Sequence, residues 1–179
     1  MKTLMIAVSA AALALPLAAN AQSMAPFSPV TVYGTVGYAG GSDSGINLGA
    51  IQGRLGARFG SYLGLEGELS GGVKGDTVNV GGTNVDVKLR HQEAVYGVGF
   101  LPVTPKFDLF ARVGYGNTNI QASAAGVAQA GSEQSWNYGA GGQYFLDNNK
   151  GFRADYTRES FRNNGGDANV WSLGYVRKF

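Results

Sequence analysis

Val170-Trp171-Ser172-Leu173-Gly174-Tyr175-Val176-Arg177-Lys178-Phe179 ends the sequence on an aromatic residue. Read with a period of two, Trp171, Leu173, Tyr175 and Phe179 share one face, broken only by Arg177. Ser172, Gly174 and Lys178 share the other, with Val170 and Val176 among them. One apolar and one mostly small or polar side is the mark of a β-strand exposed to two different environments. At ~3.3 Å per residue and a tilt of ~40°, Trp171 and Phe179 would stand roughly 20 Å apart along a barrel axis. An ordinary edge strand of a soluble sheet could show the same alternation, so the rest of the chain must decide.

The N-terminus narrows the setting. Lys2 is followed by an apolar run from Leu4 to Leu17 and by Ala19-Asn20-Ala21, a small-x-small cleavage signal before Gln22. This order is that of a secretory signal peptide, and the run is too short for a membrane-spanning helix. The expected organisation is a signal peptide at 1–21 and one domain at 22–179.

Composition excludes several classes. With 14 basic and 12 acidic side chains, a formal net charge of +2 and no long run of either sign, nucleic acid is not an expected partner. The absence of Cys removes disulfides and thiolate metal sites, and no cofactor or metal is expected. The 29 Gly argue against helices, because each costs ~1 kcal/mol in a helix interior. Combined with alternating Tyr, Phe, Val and Leu, they point to an all-β chain.

Alternation marks eight strands. Val30 to Tyr38 is the first, and turn chemistry makes Ala39 to Asn47 a loop. In Leu48 to Phe59, Ile51, Leu55, Ala57 and Phe59 oppose Gln52, Arg54 and Arg58. After a reversal at Gly60-Ser61, Leu63, Leu65 and Leu69 oppose Glu66 and Glu68. Gly71 to Val87 reads as a solvated hairpin continuing these strands, and the parity change between Leu89 and Ala94 predicts a bulge or a change of environment near Arg90 to Glu93. Leu101 to Lys106, with Pro102 and Pro105, is expected to be a rigid turn that ends the ladder. Phe107 to Tyr115 is the next strand, Gly116 to Ser135 a long polar connection and Trp136 to Phe145 another strand. Leu146 to Lys150 is a turn, Phe152 to Arg158 a strand, and Asn163 to Asp167 the turn before the last strand.

A soluble eight-stranded barrel also alternates, so the placement of the apolar belt matters. Phe59, Phe100, Phe107, Tyr144 and Phe179 fall at the short-turn ends, and Tyr38, Tyr115, Trp136 and Trp171 at the opposite ends. Two aromatic girdles around an uncharged band suit lipid. The other face collects Arg54, Arg58, Glu66, Glu68, Asp108, Arg112, Arg153, Asp155, Glu159 and Lys178, with the signs in balance. A narrow lumen can hold such charges only if they pair. The fold expected is therefore an all-β, eight-stranded antiparallel up-and-down transmembrane β-barrel.

Tyr62-Leu-Gly-Leu-Glu-Gly-Glu68, Asp108-Leu-Phe-Ala-Arg-Val-Gly-Tyr115, Tyr138-Gly-Ala-Gly-Gly-Gln-Tyr144 and Phe152-Arg-Ala-Asp-Tyr156 carry a family resemblance. Through them the whole mature chain resembles the small eight-stranded outer-membrane barrels grouped with the transmembrane domain of outer membrane protein A and the opacity-type proteins. The resemblance implies localisation to the bacterial outer membrane after export, with outer-membrane lipid and lipopolysaccharide as surroundings. It also implies that Trp171, Leu173, Tyr175 and Phe179 form the assembly signal read by the barrel assembly machinery. For the lumen it implies a closing network to which Glu66, Arg112 and Arg153 correspond. Gln143 stands where outer membrane protein A has a Glu, and Gly97 where it has a Lys; no peptidoglycan-binding domain is expected after Phe179.

The function expected is a non-enzymatic barrel supporting the envelope, with external loops that contact a host or surface ligand, adhesion included. A narrow pore is the first alternative, because Gly97, Gly99, Gly114, Gly139, Gly141 and Gly174 could leave space in the lumen. Catalysis on lipid A is the second. His91, the sole His, and Ser70 could meet near the outer interface, although Gly-x-Ser-x-Gly is absent.

Overall fold

The computed structural model describes residues 29–43, 46–80, 83–124, 127–162 and 166–179. The expected signal peptide, like the Asn163 to Gly165 part of the last turn, lies outside them. The strands are β1 (Val30–Asp43), β2 (Ile46–Phe59), β3 (Leu63–Lys74), β4 (Asp76–Val80), β5 (Thr83–Thr104), β6 (Phe107–Ala124), β7 (Val127–Phe145), β8 (Lys150–Phe161) and β9 (Asp167–Lys178).

β4 continues β3 beyond Gly75, and both pair with β5, from Leu63↔Gly99 to Gly71↔His91 and from Asp76↔Val87 to Val80↔Thr83. Nine segments thus form the eight staves of a closed antiparallel barrel, in which every stave pairs with its chain neighbours and β9 returns to β1. Closure leaves no sheet edge for lipid to desolvate.

The interior and exterior are inverted relative to a soluble domain. Among the described residues, 18 polar or charged side chains are buried against 10 apolar ones, while Leu55, Leu65, Leu69, Val95, Val113 and Leu173 stand exposed on the outside. An apolar exterior of this kind requires an apolar solvent. Cross-strand ring pairs rim it, with Tyr115–Trp136 at 5.2 Å and Tyr156–Trp171 at 4.7 Å on one side and Phe152–Tyr175 at 6.4 Å on the other.

Short turns gather at one end, at Gly60–Tyr62, Pro105–Lys106 and Leu146–Asn149. Gly60 has φ 65°, the left-handed conformation that this reversal needs and that Gly adopts without a steric penalty. At the opposite end the staves run on. Turn chemistry placed a loop at Ala39 to Asn47, yet β1 extends to Asp43 and β2 starts at Ile46. The connection expected at Gly116 to Ser135 is likewise a hairpin, β6 reaching Ala124 and β7 starting at Val127. Small polar residues have weak strand propensity, but an unbroken ladder from Ala124↔Val127 down to the barrel overrides it.

The turn expected at Leu101 to Lys106 is also shorter, since β5 continues through Pro102 to Thr104. The Phe100 N–H donates to Tyr62 O at 2.7 Å, so alternate residues from Phe100 face the β3 side. Pro102 therefore turns its missing donor toward the side where β3 has already ended, and the pairing with β6 continues past it, through a register shift at Val103, to Thr104↔Phe107. A register shift between Leu89 and His91 places a bulge at Arg90, within the range where the parity changes in the sequence.

Candidate functional site

Three Arg and three carboxylates meet at mid-lumen. Arg54 on β2 donates Nε to Glu68 Oε2 at 2.8 Å, and Nη1 and Nη2 to the Asp155 carboxylate at 2.7 and 3.0 Å. Arg112 on β6 donates to Glu68 Oε2 at 2.8 Å, Asp155 Oδ1 at 2.9 Å and Thr157 Oγ1 at 2.6 Å. Arg153 on β8 grips both oxygens of Glu66, at 2.6 and 3.2 Å. Six side chains from four staves thus cancel each other's charge, and none is more than 2% exposed.

Strand pairing explains the convergence. Arg54 lies opposite Glu68 in the β2–β3 register, and lumenal side chains two residues apart stack along each stave. The planar Arg fork suits this crossing arrangement because it can hold carboxylates on different strands at once.

Aromatic rings fill the remaining cross-section. The Arg153 guanidinium lies 4.0 Å from the Phe110 ring centroid, Arg112 4.3 Å from Tyr96 and Arg58 4.4 Å from Phe100. Tyr33 donates its hydroxyl to Glu66 Oε2 at 2.9 Å. Lumenal glycines make room for these rings. A Cβ on Gly56 would come within 2.3 Å of Tyr33, one on Gly114 within 2.5 Å of Tyr96 and one on Gly141 within 2.7 Å of Phe110.

These contacts correct three expectations. Phe100, expected in the girdle, is 4% exposed and lumenal. Gly97 and Gly99, expected to leave lumenal space, face outward, so Gly97 does not occupy the position of a lumenal Lys. The physical reason is register: Glu66 pairs with Tyr96, which puts Tyr96, Val98 and Phe100 inside and the intervening glycines outside. The glycine space expected at 114 and 141 is filled by Tyr96 and Phe110.

Arg58, Asp108 and Gln143 form a second layer toward the short turns. Arg58 Nη1 and Gln143 Nε2 each donate to Asp108 Oδ2 at 2.8 Å, and Arg58 Nη2 donates to Ser61 O. Lys178 Nζ stands 3.5 Å from the Phe145 ring centroid at the same mouth. Toward the other mouth, Ser135, Asn137 and Tyr96 form a hydrogen-bonded chain that ends on Glu68 Oε1. Gln92 Nε2 donates to Glu159 Oε1 at 2.5 Å. His91 and Ser70 do not come together, since His91 is exposed outside the barrel and Ser70 is buried inside it.

The long hairpins are tied to one another. Asp76 accepts backbone N–H groups from Asn47 at 2.8 Å and Thr77 at 2.9 Å, which hold its carboxyl below the usual aspartate range and pin β4 to β2. Trp171, Leu173 and Phe179 of the closing strand are exposed on the apolar exterior, with Tyr175 partly covered. Phe179 donates its N–H to Val32 O at 2.9 Å, fixing the seam with β1.

The family model described as the outer membrane protein beta-barrel domain matches residues 7–179. The chain belongs to this family. Solved outer-membrane barrels share its fold. The attachment invasion locus protein Ail of Yersinia pestis, in complex with the heparin analogue sucrose octasulfate, aligns with a TM-score of 0.62 at 20% identity, over 84% of this chain and 99% of that one. OprG of Pseudomonas aeruginosa aligns at 0.61 and 12% identity, over 86% and 97% of the two chains. The N-terminal β-barrel domain of Pseudomonas aeruginosa OprF aligns at 0.60 and 13%, over 86% and 100%. Comparison with curated protein sequences gives no match. Membership of an outer-membrane family agrees with the lipid-facing belt. The short turns of such barrels are periplasmic, and the long hairpins external.

Proposed function

We propose that this protein is an exported, non-enzymatic bacterial outer-membrane barrel, closed to solutes, which supports the envelope and presents its β1–β2, β3–β5 and β6–β7 hairpins for contact with a host or surface ligand. The observation that carries the reading is the lumenal cross-section. Arg54, Arg112 and Arg153 are locked to Glu66, Glu68 and Asp155 with at most 2% of any of these side chains exposed, and rings occupy what the charges leave. A solute would have to break several charge-assisted hydrogen bonds at once to pass.

The separation of His91 from Ser70 by the barrel wall supports the non-enzymatic part. For surface contact, support comes from the ladders that carry β5 to β7 well beyond the ring pairs at Tyr115 and Trp136, where exposed Lys74, Lys88 and Arg90 accompany Asp86 and Glu133. Membership of the family supports export through the signal at 1–21 and assembly through the closing strand.

Single-channel recording of the mature chain refolded in a planar bilayer tests the closed lumen, after a heat-modifiable gel shift has verified folding. A silent membrane is the expected result. Stable openings would make the protein a narrow pore and defeat the reading.

A further inference from the structure

Above the charge network, at the external mouth, the lumen opens into a cavity of about 120 Å³. Its upper wall is apolar, with Leu48, Leu89, Ile120 and Phe161 among the lining side chains. The Arg90 bulge helps to build this wall. Because Arg90 has no partner in the β6 ladder, Leu89 and Gln92 both turn inward, whereas strict alternation would send one of them outside.

The lower wall is polar and incompletely satisfied. Ser70, Gln92 and Thr118 occupy one rung of the barrel, paired Ser70↔Gln92 and Gln92↔Thr118, and all three line the cavity. Glu159 reaches the same space from β8 and is 4% exposed. Among the described residues, its carboxylate has the Gln92 amide as its hydrogen-bond partner and enters no ion pair, unlike Glu66, Glu68, Asp108 and Asp155. The hydroxyl oxygens of Ser70 and Thr118 are buried with no hydrogen-bond partner, although these residues are only 6% and 4% exposed.

Buried polar atoms are normally partnered, and a carboxylate away from water needs a positive or hydrogen-donating neighbour. What the cavity lacks is therefore a compact group with several N–H donors. An acid would face the Glu159 carboxylate, and an alcohol offers only one donor. An alkylammonium offers three donors and a positive charge, and its apolar body would meet Leu48, Leu89, Ile120 and Phe161. The space holds several waters or one small organic molecule, and is well below the size of a drug-like site.

We infer that the external mouth is a binding site for small primary amines with an apolar body, held by Glu159 with Ser70 and Thr118 and enclosed by apolar side chains brought inward at the Arg90 bulge. The site requires no passage through the lumen, so it stands independently of whether the barrel conducts.

The test is a titration of the mature barrel in lipid nanodiscs with n-butylammonium, followed by NMR of backbone amides, with n-butanol and butyrate as controls. Saturable shifts confined to residues around Ser70, Thr118 and Glu159, with n-butanol and butyrate weaker, are the expected result. Glu159→Gln keeps an acceptor for Gln92 and should weaken amine binding by about tenfold or more, the loss expected for one charge-assisted hydrogen bond. Thr118→Val, which removes a hydroxyl at nearly constant volume, should weaken it as well and decides the matter if Glu159→Gln does not fold. No saturable shift, equal binding of n-butanol or butyrate, or full affinity in the variant tested would overturn the site.

Discussion

Arg112 shows how much a single lumenal residue holds. Its guanidinium contacts Glu68, Asp155 and Thr157 from one side while its face lies on Tyr96. Removing it leaves three buried carboxylates to share Arg54 and Arg153. Breaking one partner of a buried ion network costs ~3–5 kcal/mol, whereas a surface pair would cost ~1 kcal/mol or less. Arg112→Leu should therefore lower the unfolding free energy of the refolded barrel by ~3–5 kcal/mol, read as a lower urea midpoint, and an unchanged midpoint would show that the network contributes nothing. Arg112→Lys should recover only part of the loss, because an ammonium cannot fork across two strands.

The identity of these charges was plain in the sequence, since Arg54, Glu66, Glu68, Arg112, Arg153 and Asp155 all fall opposite apolar residues by simple alternation. Their partners were not. Asp155 joins Arg54 across 101 residues of chain, and no local pattern encodes which of several lumenal cations a carboxylate will face.

Among the elements, the closing strand β9 has one observed role and one proposed role, which separate experimentally. Folded, it seals the seam with β1 from Tyr33↔Lys178 to Ser42↔Asn169. For biogenesis, we propose that its Trp171, Leu173, Tyr175 and Phe179 face is read by the assembly machinery. Deleting Phe179 removes one terminal backbone hydrogen bond, worth ~1 kcal/mol, out of a long ladder. The truncated chain should still refold in detergent with its heat-modifiable shift, but its level in the outer membrane of expressing cells should fall severalfold. Equal levels would remove the signal role from Phe179.

Extended strands were harder to read than barrel strands. Ala39 to Asn47 and Gly116 to Ser135 look like loops because turn residues crowd them. They form strands because each ladder, once nucleated in the barrel, continues outward with alternate backbone donors finding acceptors across the hairpin. At Pro102 the opposite error arises, for a residue that usually stops a strand is harmless where the neighbouring stave has already ended.

For the molecule as a whole, the lumen is filled by two materials, paired charges and rings. Eight strands enclose a space that side chains can fill, and here Tyr33, Tyr96, Phe100 and Phe110 do much of the filling. Replacing Tyr96 and Phe110 together with Ala should leave the ion pairs in place but open a hydrated path beside them. Small, brief conductance steps in a planar bilayer are expected, against the silence expected of the native chain. If the double variant is equally silent, the charges alone form the seal and the rings serve only packing.

The sequence by itself determined the eight-stave count, the alternation that turns charges inward and apolar side chains outward, and a break in parity between Arg90 and Glu93, which the structure resolves as a bulge at Arg90. These follow from the period of two, which is local, and from the need to match one face to lipid and the other to a closed lumen. Tertiary structure alone decided which face β5 presents. Past a bulge the parity restarts, and only the pairing of Glu66 with Tyr96 across to β3 puts Phe100 inside and Gly97 outside. It also decided the ion pairs and the amine-sized space at the mouth, because both arise from staves distant in sequence that closure brings to face one another.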